Sequence, residues 1–321
     1  MVDARLSAAS PDAMPPKTPG LLARALDSDI WASFTRSKLT MAATAVTILF
    51  FLAALLAGFV SPQNPFNPAE LELINSRLPP LWASEGQRPF VLGTDDQGRD
   101  MFSAILYGLR ISLLVGFMGV AFAATLGITL GLLAGYLGGI TDAVIMRIAD
   151  VQLTFPAILI ALIVDGVAKA VLGGHLDPGT TLSVLVFSIG LSFWVQYART
   201  VRGSVLVEKN KDYVAAARLI GLPAPVIMAR HVLPNVLGPV LVIATINLAL
   251  AIITEATLSF LGSGMPDTMP SLGTLIRIGN NYLFSGEWWI VAFPGIALAL
   301  LVLAINLVGD WLRDALNPRL R

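Results

Sequence analysis

The sequence predicts an all-α, polytopic membrane protein with six transmembrane helices. Hydrophobic residues make up 55% of the 321 and charged residues only 13%, about half the charge of a typical soluble domain. Mean hydropathy is +0.75. Six stretches approach the roughly 20 apolar residues that a helix needs to cross the hydrocarbon core. Lys and Arg cluster in alternate flanks of those stretches, which orients the chain.

The same composition excludes several classes. Acidic and basic residues balance at 21 each, so nothing suggests a nucleic-acid partner. There is no cysteine, hence no disulfide framework or thiolate site. Two histidines, His175 and His231, are too few and too far apart for a histidine metal cluster. Residues 1–38 lack an apolar core followed by a small-residue cleavage site, so they read as a cytoplasmic tail ahead of a retained signal anchor.

The first span, Leu39–Val60, starts behind Arg36 and Lys38. Residues 61–110 are expected outside, as a Pro- and Asn-containing loop followed by an amphipathic helix. Thr94–Gln97 fits a capping box for that helix, and Met101, Phe102, Ile105, Leu106 and Leu109 would share one face. Asp95, Asp96, Arg99 and Asp100 sit at its start; they read first as helix capping and second as contacts for a docked partner. Their spacing does not match a calcium loop.

Residues 111–310 form the expected core, with spans at Ile111–Gly135, Thr141–Val164, Thr180–Gln196, Pro239–Leu261 and Trp288–Val308. The third is crowded by Asp142, Arg147 and Asp150, of which Arg147 and Asp150 are spaced to pair along one helix. Glu255 lies inside the fifth span and is the one carboxylate read as well embedded. An ionisable group there is a functional candidate by default, and the competing role, which we favour, is a helix-to-helix hydrogen bond near the outer end. Trp288 and Trp289 would anchor the last span at the interface. Residues 311–321 complete the chain as a second cytoplasmic tail. With both ends inside, most of the 21 Lys and Arg fall on the cytoplasmic side.

The most informative stretch lies in the cytoplasmic loop 203–235: EKNKDYVAAARLIGLPAPVIMARHVLPN, from Glu208 to Asn235. Asp212 can cap a helix over Tyr213–Ile220, with Gly221 as its left-handed terminator. Pro223 forbids continuation, and Pro225 can open a second short helix ending before Pro234. A helix this short is unstable alone. Ala216 and Ala217 leave its backbone bare, Tyr213 supplies an apolar knob and Arg218 a charged rim; this reads as a docking element or, equally, as a loop helix packed on the cytoplasmic ends of its own protein.

That segment resembles the signature loop of ABC-importer permease subunits, E-A-A-x-x-x-G followed after nine residues by I-x-L-P. Ala216 and Ala217 match the alanines, Gly221 the glycine, and Leu233 and Pro234 the closing pair. Ala215 stands for the Glu and His231 for the Ile. LGTDDQGRDMFSAILYGLR (92–110), YLGGITDAVIMRIADVQLTFP (136–156), EATLSFLG (255–262) and GDWLRDALNPR (309–319) are similar to the dipeptide/oligopeptide C-type branch.

The resemblance implies the type I ABC-importer transmembrane fold and an inner-membrane permease of di- or oligopeptides. Nickel or glutathione are alternative substrates, and a self-sufficient secondary transporter is the rival class. Partners would be a second homologous permease, two ABC ATPases and an external solute-binding protein. Asp95, Asp96, Arg99 and Asp100 would then face the binding protein or the sister permease. The chain has no phosphate-binding loop of the G-x-x-x-x-G-K-[ST] type. It is therefore expected to hold no cofactor and not to be an enzyme, with ATP and Mg bound by the partner ATPases.

Overall fold

The computed structural model describes residues 29–173 and 176–316. The predicted cytoplasmic position of most of both tails, and His175, lie outside the described residues. Helix α1 spans Asp29–Arg36, α2 Lys38–Leu55, and α3 Ala57–Val60. After two short 3-10 turns come α4 (Met101–Leu137), α5 (Gly139–Leu153), α6 (Ala157–Leu172) and α7 (Pro178–Glu208). The short helices α8 (Asp212–Leu219) and α9 (Ala224–Ile227) lead into α10 (Leu233–Phe260), α11 (Leu272–Asn280) and α12 (Trp289–Leu316). No strand occurs among the described residues. In lipid this is the expected solution, because a helix satisfies its backbone groups internally.

The scaffold is the α4–α7 pair, and its cause is a stripe of small residues. A Cβ on Gly127 would lie 2.4 Å from the carbonyl oxygen of Trp194, and one on Gly131 2.5 Å from that of Ala198. Gly135 approaches Val205 and Gly119 approaches Ile189 in the same way. Only glycine admits the two backbones this closely, which is how helices pack without a hydrophobic driving force between them. Along both helices the contacts advance in the same direction, so α4 and α7 are parallel. Lys209 confirms the shared end by donating from Nζ to the carbonyl of Gly135 at 2.7 Å.

Parallel neighbours decide the span count. If α4 and α7 cross in the same sense, the chain between them must cross back. That segment is α5 and α6, which meet at a 98° bend. The third span predicted as one helix over Thr141–Val164 is therefore broken at Thr154–Pro156, where Pro156 cannot continue the ladder. Among the described residues five helices are individually long and apolar enough to cross, and the bent pair supplies the sixth crossing.

Other boundaries also move. The second span does not begin at Ile111: α4 is continuous from Met101, so the predicted external amphipathic helix is its first turns. Asp100, not the Thr94–Gln97 box, is the cap, accepting from Ser103 N at 2.8 Å and Ser103 Oγ at 2.6 Å. Thr94 instead braces the 61–100 segment, accepting from Leu78 N and donating to the carbonyl of Asn75. The helix predicted to end before Pro234 runs on. A π-helical turn at Met228–Val232 widens the ladder so that the proline ring fits, and Ala224–Phe260 becomes one 37-residue span.

Helices α10 and α4 are antiparallel, Ser112 facing Glu255 while Gly116 faces Ile252. Helix α12 returns beside α10, with Gly309 against Thr245, and α1 to α3 pack outside, with Phe34 of α1 against Trp311, Phe51 of α2 against Phe117 and Gly58 of α3 near Tyr107. The described beginnings and ends of the chain thus share a face with α8. The 61–100 segment, α11 and the start of α12 occupy the opposite face, where Trp289 Nε1 donates to the Thr94 carbonyl at 3.1 Å.

Candidate functional site

Helix α8 differs from the predicted one at its start. Its N-cap is Lys211, which makes no side-chain cap, and Asp212 is the first helical residue. A carboxylate there still complements the positive end of the helix. The predicted terminator is in place: Gly221 has φ +79°. Gly221 N donates to the Arg218 carbonyl and Leu222 N to that of Ala217, which makes a Schellman end.

One face of α8 is built into the protein. Val214 and Ala217 are buried in the main core cluster together with Val205, Ile227 and Val232. The other face is open: Ala215 and Ala216 are exposed, Leu219 is 90% exposed and Ile220 77%. The two motif alanines thus divide, Ala217 inward and Ala216 outward. Arg218 stacks its guanidinium 5.2 Å from the ring centroid of Tyr136, at the end of α4.

Tyr213 holds the helix in place. Its hydroxyl donates to Glu208 at the end of α7 and accepts from Asn235 Nδ2 at 3.1 Å. The same Asn235 amide donates to the His231 carbonyl at 2.7 Å, within the π turn. Glu208 is also paired with Lys211 at 2.8 Å. Burial, and then the Glu208 carboxylate, push the Tyr213 hydroxyl above its ordinary pKa, so it remains a proton donor. Leu233 and Pro234 open the α10 rod behind this node. Residues scattered over 203–235 in sequence are brought together as one rigid knob on the ends of α4, α7 and α10.

Glu255 is fully buried and spoken for. Ser112 of α4 donates to Oε2 and Ser259 donates to Oε1, both at 2.7 Å. Ser271, capping α11, reaches Ser259 Oγ at 3.1 Å, and Leu272 N donates to Ser112 Oγ. The carboxyl thus joins α4, α10 and α11 at the end of the rod remote from α8.

The group at 95–100 is placed differently from the predicted contact surface. Asp95, Arg99 and Asp100 are buried, out of reach of a docked partner, whereas Asp96 is partly exposed. Asp95 Oδ1 accepts from the backbone N–H groups of Gln97 and Arg99, both at 2.9 Å. The Arg99 guanidinium donates to the carbonyl of Asp267, which in turn pairs with Arg277. These charges hold the 61–100 segment to the α10–α11 connection. Burial raises the Asp95 carboxyl to about 6, against a smaller opposing effect of Arg99.

Charged residues that sequence reasoning misplaced lie in the bent pair. Arg147 and Asp150 do not pair; instead Asp142 takes a two-point contact from Arg202, one limb at 2.6 Å, and Asp150 pairs with Arg199. Both bonds clamp α5 to α7. Asp165 was missed because the predicted span ended at Val164, so Glu255 is not the only embedded carboxylate. It is buried, with Lys169 Nζ 2.9 Å away; the i, i+4 Asp–Lys spacing was the available signal. Among the described residues no group of His, Asp or Glu is placed to hold a metal.

Residues 127–321 match the family described as the binding-protein-dependent transport system inner membrane component. The chain belongs to this family. Residues 28–80 match the N-terminal transmembrane domain of oligopeptide transport permease C. The chain is 37% identical over 307 residues to the di/tripeptide transport system permease protein DppC of Pseudomonas aeruginosa, covering 96% of this chain and 97% of that one. It is 35% identical over 293 residues to the dipeptide permease DppC of Haemophilus influenzae (91% and 95% covered). Against the dipeptide permease DppC of Escherichia coli it is 39% identical over 293 residues (91% and 93% covered). The permease-family match begins within α4, and the N-terminal match ends ahead of that helix, at residue 80.

Proposed function

We propose that this chain and a second homologous permease line the translocation pathway of an ATP-driven inner-membrane importer of di- and oligopeptides. Of two ABC ATPase subunits, one docks at α8 and the other at the corresponding helix of the second permease; they bind the ATP and Mg, and an external solute-binding protein delivers the peptide. The observation that carries the reading is the knob: a short helix with bare Ala216 and exposed Leu219 and Ile220, locked by Tyr213 to α7 and α10 and by Arg218 to α4. Its chemistry suits insertion into an apolar groove of a partner. The Lys and Arg distribution supports placing that face, and both termini, in the cytoplasm. The peptide substrate is supported by the names of relatives covered over nearly their whole length.

Closure of the ATPase pair would press the knob, and the rod from Ala224 to Phe260, about 55 Å at 1.5 Å per residue, would carry the push to the Glu255 junction. ATP then acts by differential affinity for two arrangements of the spans. Because Ala217 is buried, the reporter position for docking is Ala216. With no native cysteine, Ala216→Cys is a unique thiol. Cross-linking in membranes should trap an ATP-binding subunit, and Gly221→Asp, a strained left-handed residue, should abolish transport. Failure to trap that subunit together with normal transport by Gly221→Asp would overturn the docking role. Uptake assays with dipeptides, oligopeptides, glutathione and nickel identify the substrate.

A further inference from the structure

An apolar groove of about 550 Å³ lies between α2, α4 and α12, outside the site just described. It is lined entirely by apolar side chains, among them Leu52 and Ala53 of α2, Ile105 and Leu109 of α4, and Phe293 and Ile296 of α12. Each stretch comes from the half of its helix nearest the 61–100 face. The groove therefore sits in one leaflet, the outer one in the orientation proposed above.

Helix α2 is held to the bundle mainly through small contacts, its buried residues being Thr40, Ala43 and Ala54. Leu49, Leu52 and Leu56 on the groove edge are 65%, 49% and 41% exposed, so the groove is continuous with the lipid-facing surface of the first span. Its mouth is roofed by aromatic rings. Trp82 lies 6.0 Å from Phe293, and Trp288 lies 5.7 Å from Phe293 and 6.3 Å from Trp289. Aromatic side chains with polar edges settle at headgroup depth, which places the mouth at the interface and the groove below it.

We propose that this groove is a binding site for one acyl chain of a phospholipid, which completes the packing of the first span on α4 and α12. Its surroundings favour a chain: the slot is walled by α2, α4 and α12 of this chain and opens along Leu49, Leu52 and Leu56 onto the lipid-facing surface that acyl chains already cover. Held against protein on three sides, each methylene replaces a gap that close-packed side chains leave open. The exposed indoles of Trp82 and Trp288 suit the ester and glycerol region of the same lipid, Trp289 being buried with its N–H on Thr94.

The test uses the full-length chain extracted from membranes with its partner subunits. Native mass spectrometry would follow phospholipid retained during graded delipidation, with re-addition from phosphatidylethanolamine–phosphatidylglycerol vesicles. Ala53→Phe and Ile296→Trp fill the groove; Leu303→Trp, on the same helix and similarly exposed but outside the lining, is the control. Both filling variants should lose the tightly held lipid on the order of tenfold, about 1.4 kcal/mol, and the control should keep it. Equal retention in wild type and both filling variants would overturn the proposal. So would a photo-crosslinker at Leu52 that yields a polypeptide adduct in membranes instead of a phospholipid adduct. Lipid retention is read without transport, so the result is independent of the peptide-importer reading.

Discussion

Glu255 shows how one polar side chain is made tolerable in a membrane helix. Its carboxyl takes two serine hydroxyls directly and a third through Ser259. Replacing it by Ala strands those hydroxyls, a cost of about 1–3 kcal/mol. Glu255→Ala should therefore lower the melting temperature in detergent, and Glu255→Gln, which retains an acceptor, should lower it much less. Asp95 makes a different prediction. Its folded carboxyl titrates at about 6, above the ordinary Asp value near 3.9, so the folded state binds the extra proton. Stability is then greatest below about pH 4 and falls as pH rises to about 6, by on the order of 3 kcal/mol. Thermal melts across that window should show the decline as this carboxyl's contribution, and Asp95→Asn should flatten it. The embedded position of Glu255 was visible in the sequence as a charge within an apolar run. The burial of Asp95, Arg99 and Asp100 was not, because their partners lie at Asp267 and in the turn backbone.

At the scale of elements, the glycines of α4 matter more than its apolar residues. The Gly127-x-x-x-Gly131-x-x-x-Gly135 spacing was present in the sequence, but its partner helix was not indicated, since small residues match any close surface. Gly127→Ala places a methyl 2.4 Å from a backbone oxygen, which can be relieved only by separating the helices. Overpacking of this kind costs about 1–3 kcal/mol. Gly166→Ala, with nothing within 4 Å, should be neutral or slightly stabilising. Comparative thermal unfolding of the two variants checks this. Helix α8 was legible down to its glycine terminator because its signals are local. The run of the next helix through Pro234 was not, because it depends on a π turn at Met228–Val232 that no local residue signal announces.

For the whole molecule, the arrangement of α5 and α6 is the decisive feature. Parallel packing of α4 and α7 forces the bent pair across the membrane, and the charges that blurred the third span are what fasten it to α7. Asp142 and Arg202 should show an interaction energy of roughly 0.5–1.5 kcal/mol in a double-mutant cycle, modest because both are partly exposed. The exchanged pair, Asp142→Arg with Arg202→Asp, should recover part of the loss in stability and in transport. Neither single reversal should.

Composition, apolar runs and capping signals by themselves determined that this chain lives in a membrane, how nearly it comes to six spans, and which loop carries the short helix α8. They could do so because the bilayer acts on each span separately and capping acts within a few residues. The tertiary structure alone decided that the third crossing is bent, that Ala216 and not Ala217 faces outward, and that the 95–100 charges are a buried brace. Each depends on which helices meet, set by close backbone approach and by hydrogen bonds between residues as far apart in the chain as Ser112 and Glu255.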